Sequence, residues 1–422
     1  MRSIEQVRLD NGLRVVVSED DTAAAVAVNV WYGVGSRHER AGRTGLAHLF
    51  EHLMFQGSAN VKAGEHFDRL QAVGATLNGT TSFDRTNYYE TVPRGAFELA
   101  LWLEADRMGG LLEALTQENM DNQRDVVKNE RRQRYENQPY GTVHERLFAL
   151  AFPESHQYHH LPIGSMADLD AASLDDAAGF FRTHYAPRNA VVAIVGDVST
   201  DEATAAAKRY FGGIPAGPAA PEPPDGTVGP LPDQVRQDVT EPVPAEAVYS
   251  MWRLPVDGSR GADASELALQ VLAGGSSSRL AERLERREQL ARGVGAGLSR
   301  LVGGTSTGVL AVTLRLGADL ETTEAVIDEE LERLASEGPD DDELERARAL
   351  VEHDWLDETS DYAGWANALA HFGCLFGDAT LASGVVDRLH AVSGAEVRQA
   401  AELLRAERCA RVVYHVAEGA VA

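Results

Sequence analysis

His48-Leu49-Phe50-Glu51-His52 places two imidazoles four residues apart with a carboxylate between them. On a helix, residues at that spacing lie one above the other, so His48 and His52 project from the same face and can grip one metal ion. Imidazole suits Zn2+. Glu51 lies beside the pair and can take a proton from water polarised by such a metal without being a ligand. The competing reading is a pair of ordinary core or surface histidines. With 13 His and 65 acidic residues among 422, random placement gives about 0.06 occurrences of His-x-x-acid-His per chain. Three ionisable groups within five residues of an apolar helix are also costly to bury without a role. The pattern favours a metal.

The elements around the motif follow from hydrophobic periodicity. Apolar residues at 46, 49, 50, 53 and 54 predict a short buried helix over 44–55, opened by Thr44 as its N-cap. Ahead of it, Val7 to Leu9, the turn Asp10-Asn11-Gly12 and Leu13 to Val17 read as a hairpin, and Ala24 to Tyr32 as a third β-segment. After it come a helix over 63–73, a polar strand over 75–82 that includes Asn78, a strand over 87–92, and a long helix from Pro93 to Leu112. The polar strand fits either an edge that accepts an extended peptide or a solvent-facing edge whose threonines serve β-propensity. Helices are expected over 118–137, 173–184 and 200–211, with an apolar strand at 190–195. The loop Ser155-His-Gln-Tyr-His-His160 imitates a second metal cluster. It has no acidic or Cys partner at regular spacing, so it reads as a loop.

Residues 216–234 are dense in Pro, Gly and Ala and form the clearest linker. Beyond it the plan repeats: Ser173 to Val195 has a counterpart in Ser393 to Val416, offset by 220 residues. At that offset His48, Glu51 and His52 fall on Ala268, Val271 and Leu272. The expectation is an α+β fold of two tandem, structurally homologous domains, 1–215 with the metal motif and 235–422 without it, each a mixed sheet covered by helices.

Composition excludes several classes. A net charge of −26 argues against nucleic acid or anionic membrane as partner, and no apolar run approaches a membrane span. Cys374 and Cys409 are too few for a thiolate zinc site or a disulfide framework, which predicts buried free thiols. The first residues lack an apolar signal core, and a cytoplasmic setting is expected. Gly274-Gly-Ser-Ser-Ser-Arg-Leu280 imitates a phosphate loop without the required Lys-Ser/Thr and reads as a helix cap.

His-x-x-Glu-His followed by Val126-Val-Lys-Asn-Glu130-Arg-Arg-Gln resembles the pitrilysin family of inverted-motif zinc peptidases, to which insulin-degrading enzyme and the mitochondrial processing peptidase belong. Asp10-Asn-Gly-Leu-Arg-Val, Gly33-Val-Gly-Ser-Arg, Pro162-Ile-Gly-Ser and Tyr185-Ala-Pro-Arg-Asn-Ala-Val-Val-Ala-Ile-Val-Gly-Asp197 also resemble blocks of that family. The resemblance implies a two-domain processing-peptidase-like fold, shared with the metalloenzyme LuxS, that binds one Zn2+ per chain and hydrolyses peptides. His48, His52 and Glu130 would be the ligands and Glu51 the general base. Two His and one carboxylate leave a tetrahedral position open, as a catalytic site requires. Asp125 and Glu136 are equally acidic neighbours of Glu130, and the resemblance alone selects among them.

The sequence departs from the family in two places. Gln123 stands where the family often has a second acidic residue; its amide can still support a ligand by hydrogen bonding. In the second half the family often carries an Arg and a Tyr seven apart that contact substrate, but here those positions hold Glu285 and Arg292. Losing one donor to a developing oxyanion typically costs about 10²–10³ in rate. The resemblance therefore implies a paralogous partner subunit carrying the Arg–Tyr pair, in a heterodimer around an enclosed chamber. The alternatives are a homodimer in which Arg292, or Arg286 nearby, substitutes, and a non-catalytic subunit of a larger assembly.

Overall fold

A computed structural model describes residues 3–22, 24–221 and 223–417. Sheet residues of the first half form strands β1 (Glu5–Arg8), β2 (Arg14–Glu19), β3 (Ala25–Tyr32), β4 (Thr76–Thr81), β5 (Thr86–Pro93) and β6 (Ala190–Gly196), in the order β1-β2-β6-β3-β5-β4. The second half supplies β7 (Val235–Glu241), β8 (Ala247–Leu254), β9 (Ala291–Ser299), β10 (Ser306–Leu314) and β11 (Ala410–Val416), in the order β7-β11-β8-β10-β9. Both sheets are mixed: β2 runs parallel to β6 and β7 parallel to β11, and the other pairs are antiparallel. No helix or strand interrupts residues 213–234 among those described, as their Pro and Gly content predicts.

The helices of the first half are α1 (Leu46–Leu53), α2 (Glu65–Ala72), α3 (Phe97–Ala114), α4 (Gln117–Arg131), α5 (Val143–Ala151), α6 (Met166–Ala171), α7 (Leu174–His184) and α8 (Thr200–Phe211). Those of the second are α9 (Arg260–Ala273), α10 (Leu320–Glu337), α11 (Asp341–Glu358), α12 (Tyr362–His371), α13 (Val385–His390) and α14 (Gly394–Ala401). The repeat seen in the sequence reaches the level of caps. Ser173 accepts from the Asp176 N–H at the start of α7, Ser393 accepts from the Glu396 N–H at the start of α14, and in both the acidic side chain returns the bond.

The sheets follow the expected halves, 1–215 and 235–422; the compact units do not. One unit comprises Met1–Glu130, Pro162–Pro223 and Leu356–Val385, and the other Arg131–Leu161, Pro224–Trp355 and Val386–Ala422. The reason is a pair of exchanged helices. α12, from the second half, packs on β3 and β6, while α5, from the first, packs on β8 and β11. Periodicity reveals that a helix has an apolar face but not which sheet that face will cover.

Within the first unit both faces of the sheet are covered, and β3 and β6 are almost wholly buried. Asn29 and Trp31 point toward α12, where both side chains donate to Asn367 Oδ1, and Trp365 donates its indole N–H to Ser18 Oγ at 3.1 Å. On β3, alternate residues point to opposite faces, so Val28, Val30 and Tyr32 face away from α12. Tyr32 meets Tyr88 of β5 and Tyr185 there. In this layer Arg107 of α3 lies 4.0 Å from the Tyr88 ring centre and pairs with the buried Glu104. Glu90 of β5, fully buried, has its carboxyl pushed well above the usual range by burial and by the Glu104 charge. α1 packs on β4 and β5 of this sheet.

Candidate metal centre

Helix α1 buries Leu46, Ala47, Leu49, Phe50 and Leu53. Phe50 is stacked on Phe181 of α7 and lies 4.7 Å, centre to centre, from the Tyr185 ring. Full burial of one such ring contributes about 1.5–3 kcal/mol. That anchoring fixes the rotation of the helix and leaves its half-buried face to His48, Glu51 and His52.

The N-terminus of α1 corrects one expectation. Gly45, not Thr44, is the N-cap, in the left-handed region at φ 87°, and no cap side chain bonds to the helix. Glu39, from the preceding loop, instead accepts from the Gly45 N–H at 2.9 Å and the Ala47 N–H at 2.7 Å. Thr44 is engaged elsewhere, donating its N–H and hydroxyl to Asp168 of α6. The carboxylate satisfies two orphan donors and sits at the positive end of the helix dipole.

Glu130 comes from α4, whose inward stripe is Met120, Gln123, Val127 and then Glu130 at alternating three- and four-residue steps. The helix is held in register from several directions. Arg124 donates to the Leu169 and Ala172 carbonyls, Lys128 pairs with Asp170 at 2.6 Å, and Asn119 donates to the Gln56 carbonyl just after α1. Glu130 Oε2 thereby lies 3.4 Å from His52 Nε2 and 3.8 Å from His48 Nε2. The neighbours do not compete: Asp125 is exposed, and Glu136 pairs with Arg131.

The donor set fits a zinc ion. Tetrahedral geometry with bonds of about 2.0–2.1 Å puts donor atoms about 3.3 Å apart. One atom from each of His48, His52 and Glu130 can be chosen so that all lie within 4.8 Å of one another, which small rotamer adjustments would close. Two neutral imidazoles and one carboxylate are a borderline-soft set with a single negative charge, suited to Zn2+ over the oxygen-seeking Mg2+ and Ca2+.

Glu51 is poised but is not part of that triangle. Its Oε2 accepts from the Thr81 hydroxyl at 2.6 Å, at the end of β4. Burial raises its carboxyl above the ordinary value, as does the charge of Glu130, while the Thr81 hydrogen bond and nearby His52 and Arg85 pull it back. Arg85 is itself half-buried, its guanidinium pushed down to about 10 by desolvation, and donates to the Thr80 carbonyl and hydroxyl and to Asn87 Oδ1. Thr81 and Arg85 were not among the residues predicted. The motif Asn78-Gly-Thr-Thr81 signals only a polar strand, and which threonine meets Glu51 depends on the β4–β5 register, Thr81 opposite Thr86.

The remaining candidates are placed as follows. Asn78 is exposed on β4, which forms the outer edge of its sheet, and accepts from the Gly79 N–H. Gln123 is buried on the Glu130 stripe. Arg292 lies on β9 of the second unit and is exposed, and Glu285 there accepts from the Val294 N–H at 2.9 Å. The histidine loop is not a second cluster: His156 Nε2 meets the Gly226 carbonyl and His159 Nδ1 the Phe152 carbonyl. Both cysteines are free thiols; Cys409 is buried, and burial pushes Cys374 up to about 11.

Comparison with known proteins places these features in a lineage. A family model described as "Insulinase (Peptidase family M16)" matches residues 14–161, and one described as "Peptidase M16 inactive domain" matches residues 171–351. Zinc protease PqqE of Helicobacter pylori is 38% identical over 208 residues, 49% of this chain and 46% of that protein, so the match spans about half the length of that relative. An uncharacterized zinc protease of Mycobacterium bovis is 30% identical over 309 residues, 72% of this chain and 69% of the relative. Among solved structures, a protease from Helicobacter pylori superposes with a TM-score of 0.91 at 27% identity, covering 98% of this chain and 99% of the other.

Proposed function

We propose that this chain, which belongs to peptidase family M16, is a zinc endopeptidase that cleaves peptides or unfolded protein segments. One observation carries the reading: His48, His52 and Glu130 converge from two helices while Glu51 is held beside them by Thr81. Zinc bound to those three residues, one ion per chain, supplies Lewis acidity that makes water more acidic and an amide carbonyl more electrophilic.

The protein's own groups do the rest. Glu51 accepts the proton of the attacking water and returns it to the leaving amine, with Thr81 fixing the carboxylate's orientation throughout. The exposed edge of β4 offers unpaired backbone groups to an extended substrate, which would add as a further strand, with Asn78 at that edge. Gln123 supports the Glu130 helix from within. Glu285 and Arg292 stand where an Arg–Tyr pair would assist, so the active form pairs this chain with a paralogous subunit that provides it, around a chamber enclosing the substrate.

The second reading, a non-catalytic subunit of an assembly, is favoured by those same two substitutions. Glu51→Gln discriminates. The variant retains zinc and loses cleavage of an unfolded protein by about 10²–10⁴-fold in the reconstituted complex. Unchanged cleavage would remove Glu51 from the mechanism, and no cleavage by wild-type chain with any paralogue would favour the assembly role.

A further inference from the structure

A peptide that pairs with β4 as a further strand presents its side chains alternately to the two faces of the sheet. The β4–β5 hairpin fixes how β4 receives it. The Ser82 N–H donates to the Arg85 carbonyl at 2.8 Å, with Thr81 opposite Thr86 and Thr80 opposite Asn87. Hydrogen-bonded and non-hydrogen-bonded pairs alternate along an antiparallel ladder. Thr80 therefore turns its backbone groups toward β5, and Gly79 and Thr81 turn theirs toward the open edge. The Gly79 N–H donates there to Asn78 Oδ1, a bond that a pairing strand would replace.

The two faces of β4 are chemically unlike. On one, Thr81 donates to Glu51 Oε2 at 2.6 Å, and a Cβ on Gly79 would lie 3.2 Å from the Phe55 ring and 3.1 Å from that of Tyr88. On the other, the Thr80 hydroxyl donates to Asn87 Oδ1, and Arg85 Nη1 donates to the Thr80 carbonyl at 2.9 Å, to the Thr80 hydroxyl and to Asn87 Oδ1 at 3.0 Å. The Arg85 guanidinium carbon lies 5.1 Å from the centre of the Trp31 ring, and buried Asn87 continues inward to Asn29 Oδ1 at 3.0 Å. Every acceptor of Arg85 among the described residues is thus a neutral oxygen, reached through a single nitrogen. Asp84, next to it in the turn, pairs with Arg37 at 3.2 Å, and Glu51 is held from the opposite face. A guanidinium planted by neutral groups keeps its charge for an anion.

Resting on the reading that an extended peptide lies along β4, we propose that Arg85 selects an Asp or Glu side chain on the substrate residue opposite Thr80. Residues directly opposite each other in paired strands project to the same face with Cβ atoms about 4.5–5.5 Å apart. The side chain opposite Thr80 therefore arrives beside the guanidinium that already holds the Thr80 hydroxyl, and Nη2 with Nε forms a fork that matches a carboxylate. Its two neighbours in the peptide face Glu51 instead, so the acidic group is read across the strand from the proposed base. The net charge of −26 disfavours acidic peptides in general, and Arg85 makes one position the exception.

Fluorescence anisotropy tests this on the zinc-loaded full chain carrying Glu51→Gln, so that peptide is bound and not consumed. The probes are fluorescein-labelled extended peptides of Ala and Thr that differ only in one central residue, Glu, Gln or Lys. The Glu peptide is expected to bind about tenfold more tightly than the Gln peptide, and the Lys peptide more weakly than either. Adding Arg85→Gln, which keeps a donor for Thr80 and Asn87, should erase the Glu advantage, and Arg85→Lys should retain part of it. Arg94→Gln, at the far end of β5, should leave it intact; circular dichroism and zinc content verify each variant. Equal affinity for the Glu and Gln peptides, no binding of either, or a Glu advantage that survives in a folded Arg85→Gln or is lost equally in Arg94→Gln overturns the proposal. Selective binding beside a wild-type chain that cleaves nothing would fail the peptidase reading and leave this subsite standing.

Discussion

The first and second sheets share one plan, β2-β6-β3-β5-β4 against β7-β11-β8-β10-β9, with the parallel pair at the same place. They differ in the helix that follows β3 in the first and β8 in the second. In the first half that helix is α1, eight residues with His48, Glu51 and His52 on its half-buried face. In the second it is α9, fourteen residues long, where Ala268, Val271 and Leu272 stand at the equivalent positions and are buried. The fold therefore does not need the polar triad. A helix packed with apolar residues builds the same architecture, and the ionisable groups stand only on the helix of the proposed metal site.

That contrast can be broken from the second half. Ala268→His places an imidazole in fully buried space, adding overpacking of about 1–3 kcal/mol to the desolvation of an unpartnered polar ring, about 1–3 kcal/mol. Denaturant unfolding of the variant is expected to show a loss of roughly 2–6 kcal/mol; wild-type stability would mean that α9 tolerates polar groups as α1 does, and the comparison would fail.

A smaller effect separates the halves by pH. Burial is the main cause that lowers the His38 imidazole to about 3 and His184 to about 4, both in the first unit. Their folded pKa values lie below the unfolded value of about 6.5, so acidification protonates the unfolded chain first and stability falls from about pH 6.5 downward. His415 of the second half of the sequence runs the other way: Asp238 and Glu246 hold its pKa above the usual value, and its contribution is present in acid and lost as pH rises. Between pH 7 and pH 5 His38 alone should account for about 2 kcal/mol. Replacing it by Asn, whose Oδ1 can keep the bond from the Gly35 N–H, should flatten thermal melts over that range; an unchanged pH dependence would count against the buried neutral ring.

The smallest effect tests the support of Glu51. Thr81→Val should lower kcat for peptide cleavage about tenfold, equivalent to about 1.4 kcal/mol, with zinc retained and most activity restored in Thr81→Ser. Equal activity in the Val variant would make the 2.6 Å contact incidental.

Much of this arrangement is legible in the amino-acid sequence. The His48–His52 spacing, the strand patterns, the repeat between Ser173 and Ser393 and the apolar replacements at 268, 271 and 272 are local properties, set by periods of two and 3.6 residues. What escaped depends on distant chain. Thr44 has the side chain of a cap, yet Glu39 reaches the helix amides first because a glycine at 45 turns the chain. Thr81 meets Glu51 through strand register. The exchange of α5 and α12 leaves no trace in either helix, since an apolar face does not record its sheet. Glu130 is intermediate: only the family pattern distinguished it from Asp125 and Glu136, and α4 packing then put its carboxylate at the imidazoles.

The most direct test of the central claim is zinc stoichiometry by mass spectrometry of the intact chain and by elemental analysis, on wild type, His52→Ala, Glu51→Gln and a triple replacement of His156, His159 and His160 by Ala. One zinc per chain is expected in wild type, Glu51→Gln and the triple variant, and none in His52→Ala. Zinc persisting in His52→Ala, or lost only with the histidine loop, would contradict the assignment of the metal to α1 and Glu130.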